Sequence, residues 1–112
     1  MRVISQDGKI DVPYDYFSLS VASGKYEDVE VAYIYCHNLS SPNGTKLAKY
    51  SAKEKALKAM EMLREAYNNN EFYHRTATTN TFQEAMGILS SEKFKEVTSE
   101  YFQFPQDDEI EV

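Results

Sequence analysis

"VEVAYIYCH", residues 29 to 37, decides the fold. Val29, Val31, Tyr33 and Tyr35 alternate with Glu30, Ala32, Ile34 and Cys36, which is the two-residue period of a strand. The second set is mostly apolar as well, so the stretch reads as a central strand covered on both faces. On its N-terminal side Phe17, Leu19 and Val21 alternate with Ser18 and Ser20, a strand with one buried and one polar face, and "ASGKYED" turns the chain between the two. Earlier still, Val3 and Ile4 face Ile10 and Val12 across "SQDGK", where Asp7-Gly8 supplies the positive φ of a tight hairpin, and Pro13 closes the second strand. On the C-terminal side "NLSSPNG" reads as a loop and "TKLAKY" as a short strand. The first half is therefore an antiparallel meander.

The period then changes. Ser51 with Glu54 three residues later has the form of a capping box, and Ala56, Met60, Leu63 and Tyr67 follow at spacings of four, three and four. A helix from about Ala52 to Tyr67 is expected, ended by Asn68-Asn69-Asn70. Thr81 with Glu84 repeats the capping signature before Phe82, Met86 and Leu89, and Phe94, Val97 and Tyr101 continue or restart that helix. "FQF" before Pro105 reads as an edge strand rejoining the sheet. The fold class is thus α+β, an N-terminal antiparallel β-meander with two or three C-terminal helices packed on the sheet. One domain is expected over residues 1–106, followed by a frayed acidic tail over 107–112.

Charge narrows the partners. The chain of 112 residues carries a net −6, which argues against a DNA or RNA polymer, since phosphate neutralisation needs a field of Lys and Arg. Four acids fall in the last six residues. Between Gly44 and Arg75, by contrast, seven basic residues stand against four acidic, a net of +3. A local anion site or a set of solvated faces both fit that stretch. The single Cys36 excludes an internal disulfide and fits a reducing compartment, while "MRVISQDG" turns polar after four residues and no apolar run nears the ~18 residues of a membrane span. A cytoplasmic protein without membrane contact is expected.

Catalytic patterns are missing from the sequence. Cys36 and His37 are neighbours on a strand and point to opposite faces, so they do not form a nucleophile and base. Two histidines and one cysteine match no metal-ligand spacing, and Asp7, Asp11 and Asp15 span a hairpin, a strand and a turn without converging. No catalytic residue, metal or cofactor is expected, and the protein reads as a non-enzyme. "FYHRTATTNTFQEAM", residues 72 to 86, offers something else: Arg75 for phosphate, Tyr73 and Phe82 for a base, and Thr78, Thr79 and Asn80 for ribose or base edges. The alternative has Phe82 in the core, Phe72 and Tyr73 covering the sheet, and "TATTN" as a loop.

"MRVISQDGKIDVPY", "YSAKEKALKAMEMLREAY" and "FQFPQDDE" together resemble short proteins encoded in prophages of Gram-positive bacteria, and the best functional match is the phage-encoded Thoeris anti-defence family. That resemblance implies a sponge: a dimer or higher homo-oligomer that binds the cyclic ADP-ribose-type signal of a TIR-domain enzyme without cleaving it, some members also taking cyclic oligonucleotides at a separate site. It places the work in the cytoplasm of the infected bacterial host. The family pocket lies between protomers, with arginines at the phosphates and an aromatic at the base. Phe82 matches the aromatic, Arg75 and Arg64 are the arginines of the helical half, and Lys53 and Lys55 are weaker substitutes. Where another phosphate-binding arginine is expected near the C-terminal strand, this chain has Gln103. The rival reading is a small phage protein that inhibits or adapts a host protein by direct contact, through Tyr14, Tyr16, Tyr26 and the acidic tail.

Overall fold

The structure is a computed structural model that describes residues 1–38, 41–76 and 101–111. Over the described residues it is an α+β arrangement of two three-stranded sheets and one long helix. The first sheet joins β1 (Arg2–Ile4), β2 (Asp11–Pro13) and β6 (Tyr101–Gln103) in the order β2-β1-β6. The second joins β3 (Ser18–Tyr26), β4 (Val29–Asn38) and β5 (Ser41–Tyr50) as an antiparallel meander with β4 in the centre. The helix α1 spans Lys53–Thr76. The helical patterns expected from Thr81 onward fall outside the described residues except at Tyr101, which is not helical but opens β6 opposite Arg2.

The Asp7-Gly8 turn forms as its chemistry dictates. Gly8 has φ +76°, its N–H reaches the Ser5 carbonyl at 3.0 Å, and Asp7 Oδ1 accepts from Ser5 Oγ at 2.6 Å and from Lys9 N at 3.0 Å. Those bonds, the Ser5 hydroxyl first, hold the Asp7 carboxyl below its usual range. After Pro13 a single 3-10 turn, Tyr14–Tyr16, redirects the chain. The expected single meander is therefore divided into two sheets at this point.

The second turn sits later than "ASGKYED" implies. β3 runs through Gly24 to Tyr26, and Glu27 and Asp28 carry the turn with φ +50° and +64°. Two consecutive left-handed residues suit the right-handed twist of a two-residue hairpin, which the adjoining ladder of nine pairs enforces despite the poor preference of Glu. β5 is also longer than "TKLAKY", because it begins at Ser41, which already pairs with Asn38 of β4. Its ladder shifts register where Leu47 is inserted between Lys46, opposite Tyr35, and Ala48, opposite Ile34.

One face of the large sheet is the core. Ala32, Ile34 and Cys36 of β4 and Ala48 and Tyr50 of β5 are buried with Ala56, Ala59 and Leu63 of α1. Contrary to the two-faced covering expected of β4, its other row is half-buried at Val31, Tyr33, Tyr35 and His37 and exposed at Val29. Helix α1 covers only the first face.

Helix α1 continues two turns beyond the expected asparagine stop. Asn70 lies seven residues after Leu63 on the same stripe and is 1% exposed. Asn is less favourable than Ala inside a helix by only a fraction of a kcal/mol, which tertiary burial readily overrides. The capping box is likewise replaced: Ser51 gives its N–H and hydroxyl to Asp107, and the Lys53 N–H at the helix start is taken by Glu30 Oε1 of β4 at 3.1 Å. Distant carboxylates thus do the work that Ser51 and Glu54 were expected to do locally.

β6 pairs parallel to β1 at the edge, Phe102 opposite Val3. The tail beyond it is not frayed at its start. Residues 107–109 form a 3-10 turn, Asp107 is bonded to the start of α1, and Ile110 is 5% exposed. Burial of Phe104 and Ile110 on either side of the acids fixes them.

Candidate functional site

Three segments far apart in sequence meet at one junction. Gln6 uses every polar group it has: its N–H donates to Leu47 O at 2.8 Å, its Nε2 to Pro105 O at 3.1 Å, its Oε1 accepts from Lys49 N at 3.0 Å, and its carbonyl accepts from Gln106 Nε2 at 2.7 Å. The bulge at Leu47 presents the carbonyl that receives this bond. The Tyr50 hydroxyl donates to Pro105 O at 2.8 Å, and burial first, then Asp107 and Glu109, pushes its pKa far up, so it stays a donor. Asp107 accepts from Ser51 N at 2.7 Å, from Ser51 Oγ at 3.0 Å and from Lys55 Nζ at 3.3 Å, while Lys55 Nζ also reaches the Asp107 carbonyl at 2.8 Å. The Ser51 N–H leads the effects that hold this carboxyl below its ordinary range. The pieces joined here are the three motifs at the beginning, middle and end of the chain.

Beside the junction opens a cleft of about 370 Å³, with Tyr26, Val31 and Tyr33 along one side and Lys49, Tyr50 and Asp107 along the other. A shallower hollow of about 230 Å³ shares Tyr26, Val31 and Tyr33 and extends over Ala22 and Gly24. The cleft runs from Glu30, Tyr50 and Asp107, on the side of α1, to Val31, Tyr33 and Lys49, and the hollow continues along the face of the large sheet that α1 leaves uncovered. There the register sets Lys49 opposite Tyr33 and Lys46 opposite Tyr35, and Lys46 Nζ stands 5.2 Å from the Tyr33 ring centroid. Tyr33 and Tyr35 are 6.0 Å apart between centroids, and Tyr35 and His37 6.3 Å. The alternate row of β3 contributes Ser18, Ser20, Ala22 and Gly24 to this face before it ends in Tyr26. A file of aromatic rings is thus flanked by small residues on one side and lysines on the other, an arrangement suited to a flat, anionic ligand.

His37 ties this face together without forming a catalytic group in the cleft. Its Nε2 and Ser20 Oγ are 2.7 Å apart, and neither residue lines the cleft. Gly44, at φ +85°, makes room for the imidazole: a Cβ there would stand 2.6 Å from His37 Cε1. Cys36 points the other way, is 2% exposed, and burial pushes its thiol pKa up. Among the described residues no group of three or more His, Cys, Asp or Glu is placed to hold a metal. No helix among them is long and apolar enough to cross a membrane.

The residues singled out in sequence are spread rather than gathered. Lys55, Arg64, Tyr73 and Arg75 all belong to α1, and the 20 steps from Lys55 to Arg75 correspond to about 30 Å of helix axis. One chain does not bring them into a common pocket for a small molecule. Lys55 is engaged with Asp107, so its charge is already answered. Arg64 is exposed on the helix surface. Gln103 of β6 reaches Ser5 O at 3.4 Å and closes over the first hairpin. Asn80 and Phe82 lie outside the described residues. What sequence reading missed is the Tyr33, Tyr35, Lys46 and Lys49 face, although the odd-numbered row of β4 was its visible sign. Comparison with protein-family models, with curated proteins and with solved structures returned no match.

Proposed function

We propose that this protein is a non-catalytic binder that sequesters a small nucleotide signal of the cyclic ADP-ribose type, the role implied by its resemblance to the Thoeris anti-defence family. In that role it works as a homo-oligomer in the cytoplasm of an infected bacterial host. One observation carries the reading: the tyrosine and lysine file on the open sheet face, with Lys46 Nζ 5.2 Å over Tyr33 and Lys49 opposite the same ring, beside a cleft of about 370 Å³. A base stacks on Tyr33 or Tyr26, and Lys46 and Lys49 answer the pyrophosphate. The cleft volume lies toward the small end of ligand sites, so a ligand of this size is enclosed fully only with help from a second protomer. Asp107 does not oppose an anion strongly, since Ser51 and Lys55 already share its charge. Arg64, Arg75, Tyr73, Asn80 and Phe82 enter this reading by the resemblance, as the groups a second protomer would offer.

Holding a submicromolar signal requires a nanomolar dissociation constant, about −12 kcal/mol, which a preorganised, water-excluding site must supply. Calorimetric titration with cyclic ADP-ribose isomers tests the reading: one isomer gives a saturable heat and is recovered intact after thermal release. No heat and no thermal stabilisation with any isomer overturns it. Recovery of altered nucleotide would make the protein a hydrolase instead. A second reading, inhibition of a host protein by direct contact, is favoured by Tyr26 and Val29, which are 73% and 66% exposed at one hairpin tip. Pull-down from host lysate separates the two, since a stoichiometric host protein without nucleotide supports only the second.

A further inference from the structure

The edges of the two sheets are treated very differently. β2 and β6 are three-residue edges, and β2 ends in Pro13. β5 is shifted in register, contains Pro42 and Gly44, and gives its Leu47 carbonyl and Lys49 N–H to Gln6. Such devices keep an edge from pairing with another chain. β3 is less protected over its nine residues: its ladder to β4 is regular and it holds no proline, and Gly24 and its one charge, Lys25, come only near its far end. Beyond its ladder with β4, none of its backbone groups has a partner among the described residues.

We propose that β3 is the pairing edge for a second copy of this chain, joined antiparallel about a two-fold axis at Ala22. The sequence of the strand is complementary to itself in that register. Ala22 meets Ala22, Ser20 meets Gly24, and Lys25 meets Leu19, so the two lysines never face each other. Tyr26 at its end and Tyr16 two residues before its start are the most exposed large hydrophobics among the described residues, at 73% and 78%. Antiparallel pairing about Ala22 sets Tyr26 of each copy opposite Ser18 of the other, next to the other's Tyr16, so each covers what the other leaves open.

Support is complementary too. From Ala22 to Glu30 every residue is exposed, and β5 pairs with β4 only up to Ala32, so this end of the hairpin is two-stranded. Two strands alone are marginal in water. In the pair, the unsupported half of one copy lies along the supported half of the other, Ser18–Val21. The outer face then becomes one floor of small residues between the tyrosine files of both copies, about 14 Å from β4 to β4 across three strand spacings. This inference rests on the edge and not on the ligand: a monomer that binds nucleotide would defeat it alone, and a dimer that binds none would defeat only the proposed function.

Sedimentation equilibrium of the full chain gives twice its 12.9 kDa at micromolar concentration if the inference holds. Ala22→Asp places two carboxylates face to face on the axis and weakens the dimer at least tenfold, with the circular dichroism of the fold preserved because Ala22 is exposed. Ala22→Cys joins the copies on mild oxidation, since directly opposed Cβ atoms approach disulfide reach, whereas the native chain with only the buried Cys36 does not cross-link. A monomeric native chain, a dimer indifferent to Ala22→Asp, or an Ala22→Cys chain that stays uncross-linked overturns the proposal. So does an edge that captures only an extended peptide of another protein.

Discussion

The junction around Gln6 and the hairpin tip around Tyr26 lie on either side of one cleft and obey opposite rules. At the junction, segments nearly 100 residues apart in sequence are bonded to one another, Phe104 is 1% exposed, and the Gln6, Tyr50, Ser51 and Asp107 polar groups are mutually satisfied. At the tip, Tyr26 and Val29 project from two strands with no third strand beside them among the described residues. The difference separates what the fold spends on holding itself together from what it leaves free to meet something else. Motif residues at the junction are explained by architecture, while the tip and the tyrosine file beyond it have no such explanation.

Substitutions should divide along the same line. The largest effect is expected at Phe104→Ala, which removes a buried ring packed edge-on to Phe102 at 5.4 Å and costs about 3–5 kcal/mol by urea denaturation. Gln6→Ala comes next, at about 2 kcal/mol, because it strands the Lys49 N–H and leaves Pro105 O with Tyr50 alone. A smaller loss, about 1 kcal/mol, follows Asp107→Asn and depends on pH. The folded Asp107 pKa lies below its ordinary 3.8, so the carboxylate stabilises above that value and the contribution is lost as pH falls through the folded pKa. Native and Asp107→Asn stabilities should therefore converge on acidification below about pH 4. Tyr26→Ser closes the series with a change within about 0.5 kcal/mol in the stability of the single chain, the size for a side chain 73% exposed there. A loss of 2 kcal/mol or more at Tyr26 would erase the distinction between the two regions.

The sequence made some of this legible and hid the rest for identifiable reasons. Alternation in 29–37 and the Asp7-Gly8 turn depend on neighbours in sequence, and both appear where local chemistry puts them. The helix end and the caps did not, because Asn70 is kept helical by burial, and the helix start is capped by Glu30 and tied through Ser51 to Asp107, 23 and 56 residues from their partners. Gln6 has no local signature at all, since its partners lie 41 to 100 positions away. Of the candidate site, the residue types were readable and the grouping was not. Helical spacing told where Arg64 falls on α1 but left Arg75 beyond the expected asparagine stop, and only the register of β5 against β4 could bring Lys46 and Lys49 to Tyr33 and Tyr35.

The most direct test maps the ligand onto the two regions. Amide chemical shifts of the labelled protein, followed while the tightest-binding cyclic ADP-ribose isomer is added, should move at Tyr26, Val31, Tyr33, Lys46 and Lys49 while Phe104 and Gln106 stay fixed. Saturable shifts confined to that face are the predicted result. Shifts absent altogether, or concentrated at Phe104 and Gln106 with the tyrosine file unmoved, would contradict the account.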